Sequence, residues 1–111
     1  MGWFTNKALF GGIKNRDYDT VRLALEKGAN PNSYHHGFTP LMRACMVDDA
    51  ILLKLLINAG ADPEKKDKKG KFDTYEFCRE NGWEGAIGNI QSLVSIRASM
   101  LKLNIDPSKF N

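Results

Sequence analysis

The sequence predicts an all-α protein made by stacking three copies of one helix-turn-helix unit. Three observations lead there. The chain overlays on itself at an offset of 32: Gly60-Ala61-Asp62-Pro63 falls on Gly28-Ala29-Asn30-Pro31, Ile57 on Leu25, Leu55 on Leu23, Leu53 on Val21 and Leu41 on Leu9. An offset of 33 carries Gly37 onto Gly70, Ala44 onto Phe77 and Cys45 onto Cys78. The middle copy also has a clear helix start and a clear helix stop. A period near 33 residues marks units that cannot bury their apolar faces alone and must stack.

The elements follow in order. The first copy, residues 6–37, opens on Lys7-Ala8-Leu9-Phe10, and its second helix ends at Gly28. Trp3 and Phe4 before it are expected either to lid the stack or to anchor a partner. In the middle copy, residues 38–70, Thr39-Pro40-Leu41 reads as a helix start. A Thr hydroxyl accepts from an early helical N–H, and Pro40 takes the first helical position, where its missing N–H costs nothing. Leu41, Ala44 and Cys45 share one face at i, i+3, i+4. Asp48-Asp49 breaks the pattern as a turn. Leu52, Leu53, Leu55, Leu56 and Ile57 then fill a second helix, which stops at Gly60.

The third copy, residues 71–103, places Phe72-Asp73-Thr74-Tyr75 at the helix start. Gly85 and Gly88 are expected to interrupt the start of its second helix, at roughly 0.5–1 kcal/mol each relative to Ala. Residues 89–103 then read as one long helix, with Ile90, Leu93, Val94 and Leu101 inward. Leu93, Ile96, Met100 and Leu103 form a narrow seam, suited to a cap over the third copy or to a homodimer or partner helix. Residues 104–111 are read as a short tail.

Gly37-Phe38-Thr39-Pro40-Leu41-Met42-Arg43-Ala44-Cys45, followed by Leu55-Leu56-Ile57-Asn58-Ala59-Gly60-Ala61-Asp62, closely resembles an ankyrin repeat. The pattern of that family is Thr-Pro-Leu-His-x-Ala and then Leu-Leu-x-x-Gly-Ala-Asp. The resemblance spans roughly residues 6–100, with eroded outer copies that suit caps. It implies an ankyrin-repeat solenoid in a single domain over residues 1–111, with β-turn loops projecting to one side. Met42 stands where the family has histidine, so the loop-tying hydrogen bond of that histidine is missing. Gly28 to Thr39 spans 11 positions and Gly60 to Phe72 spans 12, so the finger at 32–38 should differ in shape from its neighbour.

With 42% hydrophobic and 26% charged residues, the chain is ordinary for a globular domain, which excludes a disordered or collagen-like chain. The net charge of +3 has an address. Residues 64–71, Glu-Lys-Lys-Asp-Lys-Lys-Gly-Lys, hold five lysines and two acids, and the other 103 residues balance at 11 of each sign. Apolar stretches are broken by Lys54 and Asn58, far short of the ~18 residues of a spanning helix. The first residues lack the apolar core of an export signal, and Asn6 stands where a myristoylation signal needs Ser or Thr. Two cysteines do not make a disulfide scaffold. The expected setting is a reducing cytoplasm.

Each candidate site has a plain alternative. Cys45 and Cys78 sit at equivalent positions in neighbouring units. Stacked helices lie ~8–10 Å apart and a disulfide needs Cα atoms within ~7 Å, so the two are expected to be buried, unbridged hydrophobes. His35-His36 at a loop tip is either an exposed pair or a partner contact, with Tyr34 and Phe38 beside it. No Cys or carboxylate lies near enough in sequence to make that pair a metal site. The lysines at 65–71 form a solvated loop or a contact for an acidic protein surface. Nucleic-acid or phosphate binding fits them less well, because duplex binding spreads several phosphate contacts along a face, and the Walker spacing is missing. No catalytic arrangement and no cofactor motif emerges, so no enzyme is expected.

The family resemblance implies protein–protein recognition through loop tips and first helices. Carried onto this chain, that surface comprises Ser33, Tyr34, His35, His36 and Phe38 on one finger. Lys66, Lys68, Lys69 and Lys71 form the other finger, and Arg43, Met46 and Val47 lie on the concave side between them. Tyr34, Phe38 and Met46 are the expected anchors. The chain reads as a complete small protein, an adaptor or inhibitor acting as a monomer or weak homodimer. The alternatives are nucleic-acid or phosphate binding by loop 65–71 and a structural homo-oligomer formed through the C-terminal helix.

Overall fold

The computed structural model describes residues 2–111; the side chain of Trp3 lies outside the description, and with it the lid-or-anchor expectation for that residue. Among the described residues, six α-helices form three pairs: α1 (Gly2–Lys14) with α2 (Tyr18–Glu26), α3 (Pro40–Met46) with α4 (Ala50–Asn58), and α5 (Thr74–Glu80) with α6 (Glu84–Lys102). A 3₁₀ turn, Pro107–Phe110, follows. The helices α1, α3 and α5 make one layer and α2, α4 and α6 the other.

The local chemistry sets these boundaries. Thr39 caps α3 by accepting from the Met42 N–H, with Pro40 at the first turn, as the sequence predicts. Asp17 and Asp49, 32 positions apart, cap α2 and α4. Asp73 and Glu76 close a reciprocal capping box at α5. Just beyond the end of α4 comes Gly60, whose φ of 100° is left-handed. There Gly60 N–H donates to Ile57 O and Ala61 N–H to Leu56 O, both at 3.0 Å, so the last carbonyls of the helix are satisfied. Gly28 and Ala29 repeat this arrangement at the end of α2.

The core runs the length of the stack. Leu9, Ile13, Val21, Leu41, Ala44, Leu52, Leu53, Leu56, Cys78 and Ile90 are buried in one continuous cluster. The overlaid pairs Leu9/Leu41 and Val21/Leu53 are buried in both copies. Gly12 lets α1 and α2 approach closely: a Cβ there would come within 2.9 Å of Val21 Cγ2. Leu55 is 1% exposed while its counterpart Leu23 is 51% exposed, because α4 is flanked on both sides and roofed by the C-terminal turn.

Three expectations for the C-terminal part are corrected. Gly85 and Gly88 do not interrupt α6, which runs unbroken from Glu84 to Lys102. Packing of Ala86, Ile87 and Ile90 on the core outweighs the weak helix preference of the two glycines. Leu101 does not face inward but is 48% exposed, and Leu103 reaches 71%. The helix α6 has 19 residues against nine in α4, so its last turns outrun the neighbour that would cover them. Residues 104–111 are more than a tail: Pro107 is buried, and Asn111 bonds to Leu55 and Asn58.

Candidate interaction site

The two fingers differ in shape, as the loop lengths predict. In the first, His35 and Phe38 exchange backbone hydrogen bonds around His36 and Gly37, whose φ values are 51° and 85°. Both central residues left-handed is the signature of a tight two-residue hairpin. The second is wider: Asp67 N–H donates to Phe72 O at 2.8 Å, and the Asp67 carboxylate accepts from the Lys71 and Phe72 N–H groups. One of the two acids in the lysine run therefore organises the loop itself.

The fingers are tied side by side. Tyr34 OH donates to Lys66 O at 2.7 Å, Lys68 N–H donates to Gly37 O at 2.9 Å, and the Lys65 ammonium donates to Asn32 O while lying 4.7 Å over the Tyr34 ring. Asn32 braces both loops, donating to Gly60 O and accepting from Asp62 N–H. Tyr34 is therefore a strut between fingers as well as a partly exposed surface. Lys66, Lys68, Lys69 and Lys71 are exposed.

His35 and His36 do not project freely. The His35 ring stacks on Phe10 of α1 at 5.1 Å and on His36 at 4.0 Å. Burial, then the neighbouring His36 and Arg43, hold His35 below the ordinary histidine value. Phe38 is half-buried between the Arg43 guanidinium, 5.0 Å above its ring, and Phe77, which in turn meets Trp83 edge to face. It supports the Arg43 guanidinium.

These side chains enclose a groove of about 410 Å³ between α1, α3 and the first finger. Its apolar walls are Phe10, Ile13, Met46 and Val47; its cations are Lys7, Lys14 and Arg43; His35 and His36 close one end, and no acidic residue lines it. Five of the sequence-predicted residues meet here: His35, His36, Arg43, Met46 and Val47. Tyr34, Phe38 and the lysine finger lie outside it. Sequence reasoning missed the contribution of α1, since the first copy reads as an eroded cap. The available signal was Lys7, Phe10 and Lys14 at i, i+3, i+7, one face of a helix.

An ankyrin-repeat family profile matches residues 36–68, the middle helix pair with part of the finger on each side. This is an ankyrin-repeat protein. Its chain is 44% identical over 64 residues to the Ankyrin repeat and LEM domain-containing protein 1 homolog of Caenorhabditis elegans, covering 57% of this chain and 9% of that one. It is 37% identical over 67 residues to the human 2-5A-dependent ribonuclease, covering 59% and 9%. It is 34% identical over 92 residues to the human Ankyrin repeat and MYND domain-containing protein 1, covering 76% and 10%. The ankyrin-repeat chain thus spans about a tenth of the length of these curated relatives. Ankyrin repeats are in general protein–protein interaction modules rather than enzymes. Among the described residues no group of three His, Cys, Asp or Glu is placed to hold a metal ion, and no helix is long and apolar enough to cross a membrane.

Proposed function

We propose that this ankyrin-repeat protein acts by occupying the surface of another protein, as an adaptor or inhibitor, through the groove and the fingers beside it. The observation that carries this reading is the lining of the groove: an apolar floor flanked by Lys7, Lys14 and Arg43, with no carboxylate along it. Such a surface favours a segment that carries acidic side chains around one or two apolar ones. The apolar contacts hold the partner, while the cations act mainly on the rate of encounter. The exposed Lys66, Lys68, Lys69 and Lys71 extend the same sign of field along the neighbouring finger. Tyr34, His35 and His36 offer ring edges at the junction. Two free, buried thiols accord with a reducing, cytoplasmic setting.

The test is affinity capture from the native source followed by titration of the captured partner. Lys14→Glu and Met46→Asp are expected to weaken binding at least tenfold while leaving helical circular dichroism intact. Wild-type affinity in both variants would place the site elsewhere. Retention of an oligonucleotide at about 0.15 M salt, with a steep salt dependence, would favour nucleic acid instead. A concentration-dependent dimer in light scattering would favour a homo-oligomer.

A further inference from the structure

We infer that Cys45 and Cys78 form a redox-modifiable pair, whose thiols close into a disulfide stapling the middle helix pair to the last one. Their sulfurs lie 3.2 Å apart between α3 and α5, and both are free and buried. Both thiols are buried and unbridged, as expected from helix spacing, yet their sulfurs touch, because interaxial distance measures centre lines and not the reach of side chains. A disulfide bond measures about 2.05 Å, so closure asks for an approach of about 1.1 Å, divisible between two side-chain rotations and a small slide of α5. The residues occupy equivalent positions 33 apart in sequence, so the bond would run along the stack and tie one unit to the next.

Access is through Cys45. It lines an open cleft of about 390 Å³ together with Met46, Trp83 and Gly85. The S–H···S contact, then burial, holds Cys45 above the ordinary thiol value, and the same contact holds Cys78 below it. Cys78 is therefore the more acidic thiol, and its thiolate takes the proton of Cys45 as the reachable Cys45 sulfur reacts.

The oxidant is a small peroxide. The Cys45 sulfur attacks one peroxide oxygen, the O–O bond breaks, and the departing hydroxide takes up the released proton as water. The Cys78 sulfur then attacks the Cys45 sulfur, the S–O bond breaks, and the hydroxyl leaves with the Cys78 proton as a second water. Two thiols lose two electrons, and one peroxide is reduced to two waters.

The test exposes the folded full chain to hydrogen peroxide, denatures it, blocks free thiols with N-ethylmaleimide and weighs the intact protein. The expected result is a loss of about 2 Da, the two thiol hydrogens, with no maleimide taken up. A cross-linked peptide containing Cys45 and Cys78, reversal by dithiothreitol and a Tm raised by several degrees are expected with it. Two maleimides on the treated chain, irreversible sulfinic or sulfonic acid, or bridges between chains would overturn the inference. In Cys78→Ser a Cys45 sulfenic acid, trapped by dimedone, is expected to accumulate. Should that variant misfold, the wild-type mass and peptide map decide the question alone.

Discussion

The Tyr18 hydroxyl donates to the Asp49 carboxylate across 2.6 Å, joining the start of α2 to the start of α4. The same carboxylate caps α4 through the Ile51 and Leu52 N–H groups and pairs with Arg16 at 3.7 Å. Arg16 in turn donates to Val47 O at the end of α3. One buried acid thus couples two successive units. The bond to Asp49 holds the Tyr18 phenol above its ordinary value. Asp17, the counterpart of Asp49 one unit earlier, caps α2 through Thr20 at its own helix start.

Tyr18→Phe is expected to lower the denaturant midpoint slightly, since it removes one hydrogen bond between units. Asp49→Ala is expected to lower stability by about 2–3 kcal/mol, since it removes a helix cap and strands the Tyr18 hydroxyl together. Denaturant midpoints of the two variants check this. A Tyr18→Phe chain as stable as the parent would show that the inter-unit bond contributes nothing.

His35 makes stability depend on pH. Its folded value is depressed by burial and by the nearby His36 and Arg43. As pH falls below about 6.5, the unfolded chain takes a proton that the folded His35 resists, so the stability from this group is present above that pH and lost below it. NMR titration of the His35 ring is expected to show a midpoint below the ordinary histidine value. His35→Gln is expected to flatten the stability profile between pH 7 and 5. A midpoint at or above the ordinary value would refute the shielding of the ring by its stack on Phe10 and His36.

Gly85 and Gly88 lie inside α6 with ordinary helical backbone, and a Cβ at either would meet nothing within 4 Å. Gly85→Ala and Gly88→Ala are therefore expected to stabilise the fold by about 0.5–1 kcal/mol each, through reduced backbone entropy in the unfolded chain. A rise of a few degrees in Tm per substitution checks this. A fall would mean that the glycines are needed by the fold.

What the sequence made legible follows from where the physics is local. Caps at Thr39 and stops at Gly28 and Gly60 depend on a few adjacent residues, and the register of Leu9 with Leu41 depends only on the repeat. The groove was half legible for the same reason: Met46 and Val47 sit on a recognisable first helix, while Phe10 and Lys14 sit on one whose motif has eroded. The contacts of Phe38 with Arg43 and Phe77 are not legible in the sequence, because they depend on how neighbouring units stack. The Cys45–Cys78 contact depends on side-chain direction, which a spacing argument does not contain. The ends of α6 were misread because burial there is decided by how far α4 reaches, a property of another element.

The docking of the C-terminal turn yields the last prediction. Asn58 is buried, and its Nδ2 donates to Asn111 Oδ1 at 2.9 Å, while Asn111 Nδ2 donates to Leu55 O at 3.2 Å. Asp106 sets the turn by accepting from the Ser108 hydroxyl and N–H, which also hold its carboxyl below the ordinary value. Removing residues 104–111 leaves the Asn58 amide without its partner and uncovers the surface that Pro107 packs on. A buried amide stranded in this way costs about 1–3 kcal/mol, and lost apolar cover adds to it, so a total of about 2–4 kcal/mol is expected from the truncation. Asn111→Ala is expected to lose the amide part alone. Urea titration distinguishes the two, and a truncated chain with an unchanged midpoint would show that the turn rests on α4 without supporting it.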